Sequence, residues 1–236
     1  MKLSLLKTGA TFPELAQTSG CYEQWFAEAL NIGVKEIEVI DAPRGDILPS
    51  PETLEILIIS GSPVSVYERL PWSENAARWL KVVVQKKVPT LGVCYGHQLL
   101  AYALGAEIRP SKKGREMGAV EVIQSSGDAL FSDLPQRFQV WQTHIDEVVA
   151  PPIGSEVIAY NEHCAVQALR YGAHCASVQW HPELTRDKMC FYINARAEQI
   201  NREKGEGYAG TLIQAQPQKI PSGPKILQQF ISFFCH

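Results

Sequence analysis

The chain has 236 residues, with 22 Lys and Arg against 25 Asp and Glu, for a formal net charge of −3. That length supports one sizeable core and is short for two enzyme domains, so 1–236 is expected to form a single domain. The near-even charge, without a strongly basic patch, speaks against nucleic acid as the main partner. No apolar run approaches the roughly 20 residues that a membrane helix needs, so no membrane association is expected. Leu3–Leu6 is too short for a signal-peptide core, and Gly9–Pro13 lacks a convincing cleavage site.

In chain order, Leu3–Leu6 reads as a first strand. Tyr22, Trp25, Phe26, Ala29 and Leu30 recur at helical spacing, with Gly33 as the stop. Val34–Ile40 is a second strand and Leu54–Ile59 a third. Ser73 caps a helix whose apolar face holds Trp79, Leu80, Val83 and Val84, and Val88–Val93 is the fourth strand. This alternation predicts an α/β, doubly wound, mostly parallel sheet flanked by helices, with a site at the carboxyl ends of its strands. From Gly118 to Val178 the helices give way to β-rich runs (Val120–Ile123, Gln139–Gln142, Val157–Tyr160, Cys164–Leu169), read as added antiparallel strands. After Glu183, Thr185–Lys204 reads as an exposed helix, and Gly205–Gly210 and Pro217–Pro224 as loops. Ile226, Phe230, Ile231, Phe233 and Phe234 mark a last helix packed on the core.

Six cysteines (Cys21, Cys94, Cys164, Cys175, Cys190 and Cys235) stand at irregular spacing with no Cys-x-x-Cys pair. They fit neither a disulfide framework nor a zinc site, which points to a reducing, cytoplasmic setting. One of them is placed for chemistry. Cys94 lies between the apolar run Val88–Val93 and a helical pattern through Leu99, Leu100 and Leu104, which Gly105 closes. Gly92 and Gly96 flank it two residues to either side. Glycines there permit a turn too sharp for a Cβ, the geometry of a nucleophile elbow. The elbow lifts the sulfur out of the packed layer, aims the first helix N–H groups at whatever it attacks, and favours the thiolate. A buried structural cysteine is the alternative, and the paired glycines disfavour it.

A thiol nucleophile needs a base. His181 ends the short strand-like run Cys175–Gln179, and Glu183 follows two residues later, on the same side if the chain stays extended. Pro182 biases His181 towards extended conformations. Glu183 would then hold one imidazole nitrogen while the other faces the thiol, the nucleophile, base and orienter order of covalent acyl-transfer enzymes.

Taken together, Gly92-Val93-Cys94-Tyr95-Gly96-His97-Gln98 and Gln179-Trp180-His181-Pro182-Glu183 resemble the class I (triad-type) glutamine amidotransferases. Within that family the segments look most like the glutaminase part of GMP synthetases and its stand-alone relatives. The resemblance runs from about Glu55 to Glu183; the tail 184–236 is less family-like. It implies a flavodoxin-like fold, Cys94 as nucleophile, His181 as base, Glu183 as its orienter and Gln98 at a glutamine-binding position. It also implies that the Tyr95 amide is one oxyanion donor and that Gly61 or Ser62 supplies the second. Gly61-Ser62-Pro63 departs from the family's usual Gly-Gly-Pro, and a required positive φ would cost Ser62 about 1 kcal/mol or more. A differently shaped loop is therefore expected there. Gly114-Arg115-Glu116-Met117-Gly118 resembles a segment beside the family's active site, although a plain charged loop is an equal reading. Thr143-His144-Ile145-Asp146 resembles the family's Ser-His-x-Asp, implying that Thr143 and His144 help to hold the amino-acid end of glutamine.

The implied reaction is attack of Cys94 on the glutamine side-chain amide, proton transfer from His181 to the departing ammonia, and hydrolysis of a γ-glutamyl thioester by water. No metal or organic cofactor is needed. The chain has no Ser-Gly-Gly-x-Asp-Ser loop for activating ATP. It is therefore expected to release ammonia for a partner synthetase, or to act alone as a γ-glutamyl peptidase or hydrolase. A catalytically silent binding module is the reading from another class, and it would need none of Cys94, His181 and Glu183.

Overall fold

The computed structural model describes residues 2–125 and 127–234; the side chain of Phe234 and all of Cys235, both named above, lie outside the described residues. In chain order the elements are β1 (Leu3–Lys7), α1 (Pro13–Ser19), α2 (Tyr22–Leu30), β2 (Ile37–Asp41), β3 (Ile56–Ile59), α3 (Pro71–Gln85), β4 (Thr90–Val93) and α4 (Tyr95–Ala103). There follow β5 (Ile108–Pro110), β6 (Glu116–Gln124), β7 (Arg137–His144), β8 (Asp146–Val148), β9 (Glu156–Tyr160), β10 (Ala168–Tyr171) and β11 (Cys175–Val178). Four helices close the described chain: α5 (Arg186–Ala195), α6 (Ala197–Lys204), α7 (Tyr208–Gln214) and α8 (Ser222–Phe234).

The main sheet has the order β2-β1-β3-β4-β11-β10-β9-β6-β7, and β5 pairs with β8 in a separate two-stranded sheet. β2, β1, β3, β4 and β11 run parallel; β10, β9, β6 and β7 extend the sheet antiparallel. The parallel strands are apolar on both faces because both faces are covered. Leu3, Leu5, Ile56 and Ile58 pack with Trp25 and Phe26 of α2 and with Ile226, Leu227 and Phe230 of α8. Leu6, Leu57 and Ile59 face the other way, onto Leu80 and Val83 of α3 and Leu99 and Leu100 of α4. The alternation follows from the period of two along a strand.

Several local expectations change. α2 ends at Leu30, with Asn31 at φ 57° taking the left-handed cap, whereas Gly33 has φ −72°. Ser73 lies inside α3, buried, with its hydroxyl 2.6 Å from the Tyr95 hydroxyl, and Leu70 is the N-cap residue. Residues 34–36 and 51–53 form single 3₁₀ turns, so β2 and β3 start later than their apolar runs. Of the run Cys164–Leu169 only Ala168 and Leu169 join a strand, and the loop 208–210 instead opens α7. The segment Thr185–Lys204 is two helices, and α5 is not an exposed one. It buries Lys188, Met189, Tyr192 and Ile193. Lys188 looks like a surface residue in sequence, but it ion-pairs with Glu28 at 2.9 Å and lies over the Trp25 ring at 5.1 Å. Gly105 does take a positive φ, 101°, directly after α4.

Candidate active site

Strand register places the site. Leu57, Ile58 and Ile59 of β3 pair with Thr90, Leu91 and Gly92 of β4, while Ser177 and Val178 of β11 pair with Gly92 and Val93. The three strands therefore end side by side, and the next residues out, 60–62, 94–96 and 179–183, meet above the sheet edge. The Cys94 amide donates to the Val178 carbonyl at 2.9 Å and the Gly96 amide to the Ser60 carbonyl at 3.1 Å, fixing the elbow to both neighbours.

At the turn Cys94 has φ 52° and ψ −103°, among the few non-glycine residues with positive φ. Such a conformation costs of order 1–3 kcal/mol and survives only where the surroundings impose it. Gly92 and Gly96 are what permit it. A Cβ on Gly92 would stand 2.6 Å from the Gly96 carbonyl oxygen, and one on Gly96 would stand 2.5 Å from the Ile59 carbonyl oxygen. Both obstacles are backbone, so neither can give way cheaply.

His181 is anchored by its amide on the Trp141 carbonyl at 2.8 Å. Its Nδ1 meets Glu183 Oε1 at 2.7 Å, and Cys94 lies close enough to act on the ring electrostatically. Burial pushes the imidazole down, but the Glu183 carboxylate and Cys94 outweigh it and raise His181 to about 10. A buried carboxylate at contact distance strongly favours the imidazolium in a medium that screens poorly. Gly61 is shaped to this imidazole: a Cβ there would lie 2.9 Å from His181 Cε1.

Ser62 is not among the non-glycine residues with positive φ, which are Asn31, Arg69, Lys87 and Cys94. The strain expected of a serine at that position is therefore absent. The residue instead packs over Gly9, where a Cβ would stand 2.9 Å from its hydroxyl. The amides of Gly61, Ser62 and Tyr95 have no acceptor among the described residues, so all three remain free to donate.

Gln98 is buried; its Nε2 donates to the Asp146 carbonyl and to Gln179 Oε1, both at 3.0 Å. Gln179 in turn places its Nε2 3.7 Å from Cys94 Sγ. Sequence alone gives Gln179 no role in the site, although its place two residues before His181 is a signal that could have found it. His144 is turned into the protein. Its Nδ1 lies 2.9 Å from the Asp146 carbonyl and its Nε2 2.9 Å from Glu116 Oε2, so both ring nitrogens are committed. Glu116 also accepts from Gln167 at 2.8 Å and Asn161 at 2.6 Å. Burial raises this carboxyl, yet the bonds from His144 and Asn161 hold it below the usual range. Glu116 thus secures the loop from below, a role its place in a charged segment does not reveal. Asp146 accepts from Ser65 at 2.6 Å and Tyr67 at 3.2 Å, tying the segment after Ser62 to the Thr143–Asp146 turn.

Two cavities meet over Cys94. One, of about 240 Å³, runs beside His181 to Phe12, Tyr22 and Tyr192; the other, of about 290 Å³, is bounded by Tyr95, Gln98, His144 and Asp146. Ser62, Cys94, Thr143 and Arg196 line both. No group of three or more His, Cys, Asp or Glu able to hold a metal occurs among the described residues, and no described helix is long and apolar enough to cross a membrane.

Among known proteins, the chain is 38% identical over 128 residues to a glutamine-hydrolyzing GMP synthase of Thermomicrobium roseum, covering 54% of this chain and 23% of that protein. It is 35% identical over 150 residues to a glutamine-hydrolyzing GMP synthase subunit of Saccharolobus solfataricus, covering 63% of this chain and 77% of that protein. The chain thus spans about a quarter of the first relative and about three quarters of the second. In the fold comparison, a glutamine amidotransferase from Thermotoga maritima superposes with a TM-score of 0.78 at 21% identity over 100% of both chains, so the fold is shared. A glutamine amido transferase from Methylobacillus flagellatus gives 0.70 at 20% identity over 98% and 94%. The model of the family described as glutamine amidotransferase class-I matches residues 29–194, and on that match the chain belongs to this family.

Proposed function

We propose that the protein hydrolyses the side-chain amide of glutamine through Cys94, His181 and Glu183, passing through a γ-glutamyl thioester. The observation that carries the reading is His181 held between the Glu183 carboxylate, at 2.7 Å, and the Cys94 thiol on its strained elbow. Cys94 attacks the amide carbonyl carbon, and the oxyanion is met by the amide of Tyr95 and one from Gly61 or Ser62. The imidazolium of His181 protonates the leaving nitrogen. His181 then takes a proton from water as the water attacks the thioester, freeing glutamate and the thiol. Thr143 and the Gln98–Asp146 side of the second cavity receive the amino-acid end of the substrate. His144 supports that side through the backbone it positions.

Kinship with a protein named as one subunit of a GMP synthase supports a partner synthetase as recipient of the ammonia. In that role hydrolysis by the chain alone is slow and rises when the partner is present. A second reading, hydrolysis of another γ-glutamyl compound without a partner, is favoured by the cavity beside His181, which is larger than ammonia needs. The unstrained Ser62 also removes one expected reason for a silent oxyanion hole.

The test is glutamate release from glutamine by the purified chain and by Cys94→Ala, with mass spectrometry after treatment with a glutamine-like diazo-ketone. Turnover that depends on Cys94, with the label on that thiol, is expected. Labelling of Cys21, Cys164, Cys175, Cys190 or Cys235 instead would remove Cys94 from the mechanism.

A further inference from the structure

Arg196, at the junction of α5 and α6, lies two residues past the family match and has no part in the steps above. Its guanidinium carbon sits 4.9 Å from the Phe12 ring centroid and 5.0 Å from that of Tyr192. Nη1 is buried without a hydrogen-bond partner among the described residues. Burial pulls Arg196 below the ordinary guanidinium range and nearby Arg115 adds like-charge repulsion, but a guanidinium stays protonated at neutral pH. Arg115 is itself paired with Glu203 at 3.2 Å, whereas the aromatic faces give Arg196 no counter-anion. A desolvated charge with an orphaned donor is unfavourable until an anion completes it.

The side of the substrate that reaches Arg196 follows from the proton transfer. The leaving nitrogen must take its proton from His181, so whatever it carries lies in the cavity that His181 borders, and the glutamyl part lies in the other. Arg196 lines both, and its stacking on Phe12 and Tyr192, which line only the first, puts its guanidinium on the leaving-nitrogen side. If that nitrogen leaves as ammonia, it fills about one water's share of space, about 30 Å³. The cavity holds about 240 Å³, and Phe12, Pro13, Tyr22 and Tyr192 give it an apolar, aromatic wall.

We infer that the chain accepts a γ-glutamyl amide of an amino acid, with the apolar side chain of that amino acid among Phe12, Tyr22 and Tyr192 and its carboxylate on Arg196. This rests on the proposed Cys94 chemistry and names its substrate class, with Arg196 as the residue that sets specificity on the amine side. The reaction keeps its balance: Cys94 sulfur bonds to the γ-carbonyl carbon, the C–N bond breaks, and the amino acid leaves with the His181 proton. Water then cleaves the thioester to glutamate.

Three substrates decide it with the full chain: γ-glutamyl-phenylalanine, the same compound with its carboxylate converted to an amide, and glutamine. The free-acid dipeptide is expected to show at least tenfold higher kcat/KM than either of the others. Arg196→Met should lower the acid-to-amide ratio by about tenfold or more, mainly through KM, with Arg196→Lys recovering part of it. Glutamine turned over as well as the dipeptide, or an unchanged ratio in Arg196→Met, would overturn the inference. Calorimetry on Cys94→Ala gives a readout without turnover, and binding of the amide as tight as that of the acid also overturns it. Glutamine hydrolysis or diazo-ketone labelling of Cys94 without dipeptide hydrolysis counts against Arg196 and its cavity alone. Failure of wild type on all three substrates together with an unlabelled Cys94 counts against the thiol chemistry itself.

Discussion

The amide of Cys94 donates to the carbonyl of Val178 at 2.9 Å, and this one bond sets the spacing of the site. It carries the β4–β11 pairing one residue past the end of β4, so that the chain leaving β11 passes directly beside the elbow. Three residues after Val178, His181 then reaches the thiol although 86 positions separate the two in the chain. Neither residue needs a flexible loop to find the other.

Cys94→Ala is expected to lower hydrolysis by at least a thousandfold while leaving the circular dichroism spectrum unchanged. Cys94→Gly should be equally inactive but about 1 kcal/mol more stable than Cys94→Ala, because glycine tolerates φ 52° where a Cβ does not. Denaturant melts of the two variants compare them directly. Equal stability would mean that the elbow stores no strain.

His181→Ala should be nearly as inactive as Cys94→Ala, whereas Glu183→Gln should retain more activity because Glu183 orients and moves no proton. The same pair has a signature in stability. His181 is raised to about 10 in the folded protein from 6.5, with Glu183 the leading cause against burial. A raised folded value stabilises fully below pH 6.5, and the gain is lost as pH climbs through about 10. Wild type should therefore exceed Glu183→Gln in Tm by most near pH 6, and the gap should close towards pH 10. A gap that widens over that range would show that the imidazole is held neutral.

Gly61→Ala and Gly96→Ala should fail in different ways. The new Cβ at 61 would stand 2.9 Å from His181 Cε1, a side-chain atom that can shift, so kcat is expected to drop about tenfold or more with little loss of stability. At 96 it would stand 2.5 Å from the Ile59 carbonyl oxygen and 2.8 Å from Ile59 Cβ, atoms of a buried strand. Overpacking of that kind costs about 1–3 kcal/mol or more. Parallel measurement of kcat and of urea midpoints separates the two outcomes.

Glu116→Ala removes the acceptor shared by His144, Gln167 and Asn161. Leaving the buried donors of His144 and Gln167 unpaired costs about 1–3 kcal/mol each. The Thr143–Asp146 turn should loosen, raising KM for the glutamyl substrate by more than it lowers kcat. An unchanged KM would separate Glu116 from substrate binding altogether.

What could be read from sequence was whatever local chemistry fixes within a few residues. Gly92 and Gly96 around Cys94 specify an elbow because only glycine fits there, and the apolar runs before Ile59 and Val93 specify strands buried on both faces. The segment His181-Pro182-Glu183 does form the expected hydrogen bond, but through a turn at Pro182 and Glu183, with the Leu184 amide on the His181 carbonyl at 3.4 Å, and not through an extended chain. Cap positions were less legible, because Asn31 competes with Gly33 for the left-handed site and tertiary packing draws Ser73 into a helix interior. Beyond the Cys94–His181 pairing, contacts between distant segments were not legible. Gln179 against Cys94, Glu116 under His144, Lys188 on Trp25 and Arg196 between Phe12 and Tyr192 join residues that share no periodicity or spacing. A polar or charged side chain carries no local mark of the partner that buries it. Only the folded sheet, with α5 packed beside β6, determines which charges are compensated and which one is left facing the cavity.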